Sequence, residues 1–246
     1  MWVSDCLLWE VDGMAWIQSN ILYILLAVGV IFSIAWVLNF QKILKIKWYA
    51  AIIVCILIAV VGVISAKLFA AFEGWIAGGA EGSLSIYGAI FLTPLVCMLG
   101  ALIFRRPVKT TIDILTVPIV ILAGLARVNC LIQGCCLGLE IPGTEIRWPA
   151  REAELVFDVI LIIVLIRLTA KKRFKGINYP IYLVSYGIFR FIIQWFREPG
   201  FMVGPLTLSH IWSIVSIAVG LTLLIVLNKK DRESKKSKKK STAKQL

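Results

Sequence analysis

Ile21-Leu-Tyr-Ile-Leu-Leu-Ala-Val-Gly-Val-Ile-Phe-Ser-Ile-Ala-Trp-Val-Leu38 runs for 18 residues without a charged side chain. As a helix rising about 1.5 Å per residue it covers about 27 Å, close to the roughly 30 Å hydrocarbon layer of a bilayer. A backbone in hydrocarbon has no water to bond with, so such a run has to pair its own polar groups as a helix. The rest of the chain has the same character: 60% of its 246 residues are hydrophobic, and the mean hydropathy is +0.90. Apolar segments fall at 15–38, 48–68, 85–104, 112–133, 153–170, 179–197 and 208–228. The expectation is an all-α, polytopic integral membrane protein of seven transmembrane helices. Ten-residue alternating segments, the mark of a β-barrel, are absent. Spans and short loops use up residues 1–228 as one membrane domain, leaving 229–246 as a separate tail.

Basic residues alternate between linkers. Lys42, Lys45 and Lys47 follow the first span, Arg105, Arg106 and Lys109 the third, and Lys171, Lys172, Arg173 and Lys175 the fifth. The other linkers hold Glu73 and Glu81, then Glu140, Glu145, Arg147, Arg151 and Glu152, and then Glu198, with Lys67 the one departure from the pattern. The positive-inside rule then puts the amino terminus outside and the carboxyl terminus inside. The first thirteen residues hold Asp5, Glu10 and Asp12 and no basic side chain, unlike the n-region of a secretory signal, so targeting is expected from the first span itself.

Two polar clusters interrupt this apolar background. The fourth span ends in Ala126-Arg127-Val-Asn129-Cys130-Leu-Ile-Gln133-Gly-Cys135-Cys136-Leu-Gly138. In the sixth, Tyr186, Arg190, Gln194 and Arg197 recur along one helical stripe, with Glu198 beside the last. An arginine at that depth needs a partner. Glu154 as a structural counter-ion is one reading, and a bound phosphate, matched by the same fork of donors, is the other. The convergence of Arg127, Arg190 and Arg197 on one outward cavity favours a receptor for an anionic lipid head group.

The six cysteines show no secreted-scaffold spacing. Packing as small hydrophobes, a strained vicinal pair at Cys135 and Cys136, and thiol chemistry stay open for them. His210 is the only histidine and no paired Cys motif is present, so neither a metal nor another cofactor is expected. The tail from Lys229 has nine basic and two acidic residues, +7 of the formal net charge of +12. It is expected to be disordered and drawn to anionic lipid on the inner leaflet rather than to nucleic acid.

From about Gly82 to Gly220 the sequence resembles the prolipoprotein diacylglyceryl transferases. Ala126 to Gly138 occupies that family's Gly-Arg-Ile-Gly-Asn-Phe-Ile-Asn-Gly-Glu-x-x-Gly stretch, with Arg127 on its essential arginine, Cys130 on its first asparagine and Cys135 on its glutamate. Asp113 and Pro118 match residues that open its central helix, and Trp148 to Glu154 matches His-Pro-Ser-Gln-Leu-Tyr-Glu, keeping the proline and the final glutamate. Tyr186-Gly187, Arg190 and Arg197-Glu198-Pro199 fit Tyr-Gly-x-x-Arg and Arg-Glu-Pro-Asp, with Gly200 on the aspartate and Gln194 on a family glutamate. Pro205 to Ser209 keeps the leucine and serine of Gly-Gln-x-Leu-Ser. Gly82 to Gly88 resembles Gly-Gly-Leu-Ser-Phe-His-Gly, but Tyr87 stands on the histidine assigned a catalytic role. The family's early Trp-Tyr-Gly segment has no counterpart.

The resemblance implies a bacterial inner-membrane enzyme, its site facing outward, that moves a diacylglyceryl group from phosphatidylglycerol to the lipobox cysteine thiol of a prolipoprotein. Arg190, Arg127, Glu154 and Tyr87 are the catalytic candidates. Tyr186, Gln194, Arg197, Glu198, Asn129, Gln133, Cys135 and Cys136 are the substrate-binding ones. Tyrosine, with an ordinary pKa near 10, is a poor base at neutral pH, so Glu154 is the candidate substitute for the histidine. A related lipid-linked transferase with another acceptor, thiol or otherwise, and a non-catalytic lipid-binding protein are the alternatives. A transporter is disfavoured because no pair of interrupted spans suggests inverted repeats. The topology makes a direct prediction: accessibility labelling or reporter fusions place Lys172 and Lys236 inside and Pro142 and Pro199 outside. An internal Pro142 would put the arginines in the wrong compartment.

Overall fold

The computed structural model describes residues 2–77, 84–134, 137–144, 146–172, 174–198 and 202–242, with side chains described from Asn20 to Asp231 within them. Seven α-helices occur among the described residues: α1 (Trp2–Leu44), α2 (Trp48–Ala77), α3 (Ile86–Ile103), α4 (Val108–Ile132), α5 (Ala150–Ala170), α6 (Asn178–Ile193) and α7 (Leu208–Thr242). The protein is an all-α polytopic membrane protein. Five helices, α1 to α4 and α7, contain stretches long and apolar enough to cross a bilayer. The other two fall short for physical reasons. The α5 sequence carries Arg151, Glu152, Glu154, Asp158 and Arg167, and α6 has only 16 residues, below the roughly 20 that a perpendicular crossing takes.

Several boundaries depart from the sequence reading. The first helix begins at Trp2 rather than near residue 15, and α2 runs to Ala77, well past 68. The sixth α-helix stops at Ile193 and tightens into a 3-10 turn over Gln194–Phe196. A small antiparallel hairpin, β1 (Met202–Val203) with β2 (Leu206–Thr207), enters α7. The α7 helix continues to Thr242, into the tail expected to be disordered. Its lysines, arginine and glutamate are good helix formers, and Lys109 Nζ meets Asp231 at 3.2 Å.

Central to the bundle is α4, whose residues from Thr111 to Val120 are all buried. Ile112, Val117 and Val120 join one apolar core with Tyr87, Ile90, Leu161, Leu165 and Leu183. Ile114, Leu115, Ile119 and Leu122 join a second with Val37, Phe40, Cys55 and Ile58. Large apolar side chains on the outer faces, such as Ile31, Phe32, Leu68, Val159 and Ile160, stay exposed, as they do where lipid is the solvent. On α5 the pattern is sharp: Glu154, Asp158, Leu161 and Leu165 are buried along one face, while Val156, Val159, Ile160 and Ile163 point outward.

Helix direction alternates, and the two ends of the bundle differ chemically. Helices α1, α3 and α5 are each followed by a basic residue in the left-handed backbone region, Lys45 (φ 56), Arg105 (φ 51) and Lys172 (φ 50). A cation there complements the negative ends of the helix dipoles. At that same end the Asp113 carboxylate accepts the N–H groups of Gly176 (2.7 Å) and Asn178 (2.8 Å). Asn178 Nδ2 in turn donates to the Asp113 carbonyl (2.9 Å) and to Thr169 Oγ1 (2.7 Å). One buried carboxylate thus satisfies the start of α6 and locks it to α4 and α5. Asp113→Ala leaves those donors without an acceptor, and the expected loss is on the order of 3 kcal/mol, read as a lower unfolding temperature in detergent; an unchanged temperature contradicts this role.

Candidate functional site

The opposite end of the bundle brings together the carboxyl-terminal turns of α2, α4 and α6 and the amino-terminal turns of α3, α5 and α7. Glu154 lies at its centre, 2% exposed. Its Oε2 accepts a hydrogen bond from Arg127 Nη1, and its Oε1 accepts from Arg190 Nη1 and, at 2.7 Å, from Arg197 Nη1. Arg127 Nη2 donates to the Tyr186 hydroxyl (2.6 Å), and Arg127 Nε lies 3.4 Å from Asp158 Oδ2. Three guanidiniums against two carboxylates leave an excess of positive charge. Arg190 Nε is buried and makes no hydrogen bond among the described residues.

Local structure explains how each arginine arrives. Arg127 and Arg190 sit in the last turns of α4 and α6. Arg197 lies beyond the end of α6, where an α-helical stripe no longer applies. The 3-10 turn and an antiparallel bridge to Gly138 aim it instead. Residues 137–144 and 146–149 pair with one another through Trp148 N–H to Leu139 O (2.9 Å) and Ile141 N–H to Ile146 O (2.9 Å), and Leu139 N–H bonds Phe196 O (2.9 Å). A Cβ on Gly138 would lie 2.0 Å from Trp148 O, so only glycine allows this closure. Arg147 fastens the outside through Glu198 and through Glu140 (2.7 Å). The hydrogen bond to Glu198 raises its guanidinium pKa above the ordinary value.

Beside the cluster is a cavity of about 400 Å³ whose wall includes Arg127, Arg190, Arg197, Asn129, Cys130 and Tyr87, with Leu26, Ile58 and Leu122 on its apolar side. The Tyr87 hydroxyl is 2.9 Å from Ser209 O, to which it donates, and 2.9 Å from Ser213 Oγ. Of the residues expected at the site, Arg127, Arg190, Arg197, Glu154, Tyr186, Tyr87 and Asn129 converge here. Gln194 is buried with its Oε1 unbonded. Glu198 instead pairs outward with Arg147, Gln133 is an exposed residue at the end of α4, and Cys135 and Cys136 lie outside the described residues. Glu154 is wholly engaged as the arginines' counter-ion, so the expectation that it replaces a catalytic base does not fit its bonding.

Two carboxylates escaped the sequence reading as site residues. Asp158 was legible, one turn after Glu154 on the same face. Glu73 reads as a linker acid, yet α2 extends through it and it lines the cavity.

The sequence model for the family described as Prolipoprotein diacylglyceryl transferase matches residues 17–226. The chain belongs to this family. It is 30% identical over 159 residues to phosphatidylglycerol–prolipoprotein diacylglyceryl transferase 2 of Clostridium perfringens, covering 58% of this chain and 62% of that protein. It is 29% identical over 170 residues to the Rickettsia typhi transferase of the same description (61% and 65%), and 26% identical over 184 residues to that of Geobacter sulfurreducens (67% and 66%). The matches span just under two thirds of these relatives' own lengths. As a family member the chain is a divergent one.

Glu154→Gln tests that bonding. Removing the one charge shared by three buried guanidiniums is expected to cost about 3–5 kcal/mol, a larger fall in unfolding temperature than from any exposed charge such as Glu152→Gln. Equal stability of the two variants would contradict the assignment.

Proposed function

We propose that the protein transfers a diacylglyceryl group from phosphatidylglycerol to the lipobox cysteine thiol of a prolipoprotein. The observation that carries the reading is the arginine cluster opening on a mostly apolar cavity, with Arg127, Arg190 and Arg197 in its wall. A phosphodiester head group fits the polar side and acyl chains the apolar side. In this reading all seven helices cross the inner membrane of a bacterial cell, α5 and α6 keeping Glu154, Asp158 and Arg190 inside the bundle. The amino terminus and the site face outward, and the basic end of α7 lies against anionic lipid inside.

The chemistry asked of the site is displacement at the glycerol carbon bonded to phosphate. The thiolate sulfur forms a bond to that carbon, the carbon–oxygen bond breaks, and glycerol phosphate leaves with the electron pair. Arg190 and Arg127 then stabilise charge gathering on the leaving phosphate, held in place beforehand by Glu154, Asp158 and Tyr186. A carboxylate at the centre of three guanidiniums fixes their spacing rather than competing for the ligand, because each guanidinium presents five donors. A different thiol acceptor in the same displacement is the second reading. It is favoured by Tyr87, which stands where the family's histidine is expected and whose hydroxyl is occupied by Ser209 and Ser213.

Arg190→Gln and Arg127→Gln are each expected to lower transfer at least about 100-fold, the usual effect of losing one donor to a developing anion, with membrane insertion retained. Purified protein, labelled phosphatidylglycerol and a lipobox peptide, followed by mass analysis of all products, provide the measurement. Full activity in either variant removes that arginine from the mechanism.

A further inference from the structure

The displacement needs a proton acceptor for the incoming thiol, and the groups expected to supply one are committed elsewhere. Both Glu154 oxygens accept from arginines. Asp158 faces Arg127 Nε and does not line the cavity. The Tyr87 hydroxyl donates to Ser209 O and meets Ser213 Oγ, and its ordinary pKa near 10 suits an acid better than a base. His210 holds its Nδ1 against Thr207 (2.9 Å to Oγ1) and lies between Phe191 and Trp195, off the cavity wall.

One acidic side chain does line the cavity among the described residues: Glu73, in the last turns of α2. It makes no ion pair among them, and its surroundings are Ser85 ahead of α3, Trp212 of α7 and, through space, Arg190 of α6. Tyr87, Arg127 and Arg197 share the same wall. The helix positions it firmly: in the turn before Glu73, Phe69 and Phe72 pack against Trp212 with ring centroids 4.9 and 6.3 Å apart. The cavity therefore has a cationic wall and a carboxylate facing the same space, the arrangement in which a phosphate and a thiol can be held side by side.

We propose that Glu73 is the general base that receives the thiol proton of the acceptor. This rests on the transfer reaction given above. The S–H proton passes to the Glu73 carboxylate as sulfur attacks the glycerol carbon. The carbon–oxygen bond breaks toward the arginines, and the protonated Glu73 then returns its proton to the departing phosphate or to solvent. The cations of the cavity wall, Arg190 near Glu73 and Arg127 and Arg197 on the same lining, also lower the cost of the thiolate.

The test uses the full-length protein in phosphatidylglycerol vesicles with a lipobox peptide. Glu73→Gln is expected to slow transfer about 100-fold near neutral pH, the lower end of the usual contribution of a positioned base, with phosphatidylglycerol binding unchanged. Raising the pH above the ordinary thiol pKa of about 8.5 supplies thiolate directly, so the variant is expected to recover toward wild type there, whereas Arg190→Gln is not. Glu73→Asp, which keeps the carboxylate, should retain part of the rate. A Glu73→Gln rate equal to wild type at every pH overturns the proposal while leaving the transfer reaction standing. So does an equal deficit at every pH, or loss of folded protein in both Glu73 variants, which assigns Glu73 to structure. A wild-type protein that transfers nothing to the peptide overturns the reaction itself, and Glu73 as its base with it.

Discussion

A single carboxylate, Glu154, holds three arginines that would otherwise repel one another inside a membrane protein. Its two oxygens accept from Arg127 of α4, Arg190 of α6 and Arg197 of the turn after α6. Each guanidinium is costly to bury alone, and none can leave without stranding charge. The carboxylate therefore fixes the relative positions of α4, α5 and α6 at one end of the bundle, as Asp113 does at the other. The site is rigid because both ends of the same three helices are tied by buried polar bonds.

That rigidity gives structural ion pairing and ligand recognition a common origin. A preorganised set of donors stabilises charge that develops during reaction without having to reorganise. Glu154, Tyr186 and Asp158 use only some of the donors of the three guanidiniums, and all three arginines line a cavity whose other wall is apolar. The described residues of the loop, 137–144 and 146–149, are not among those lining this cavity. They grip the strand-like segment at Arg197 and, through Arg147, close the outside of the site.

Uncharged runs such as Ile21–Leu38 made the membrane-helical class legible, because only hydrocarbon-spanning helices tolerate them. The convergence of Arg127, Arg190 and Glu154 was legible for the complementary reason: charges at depth have to meet. Less readable were features set by tertiary packing. Hydropathy ends the second span near Lys67, but Phe69, Phe72 and Trp75 continue the helix by packing, which carries Glu73 from a presumed linker into the cavity. The helical stripe through Gln194 and Arg197 assumed one continuous α-helix, whereas the 3-10 turn and the Gly138 bridge deliver Arg197 by another route. Tyr87 was noticed as a substitution, but that its hydroxyl is spent on α7 depends on how α3 and α7 pack.

The most direct measurement is an experimental structure of the protein in a lipid nanodisc containing phosphatidylglycerol. The account predicts a lipid phosphate within hydrogen-bond reach of Arg190 and Arg127, with Glu154 still between the arginines and acyl chains along Leu26, Ile58 and Leu122. An ordered phosphatidylglycerol bound elsewhere, with the arginine-lined cavity free of lipid, would contradict it.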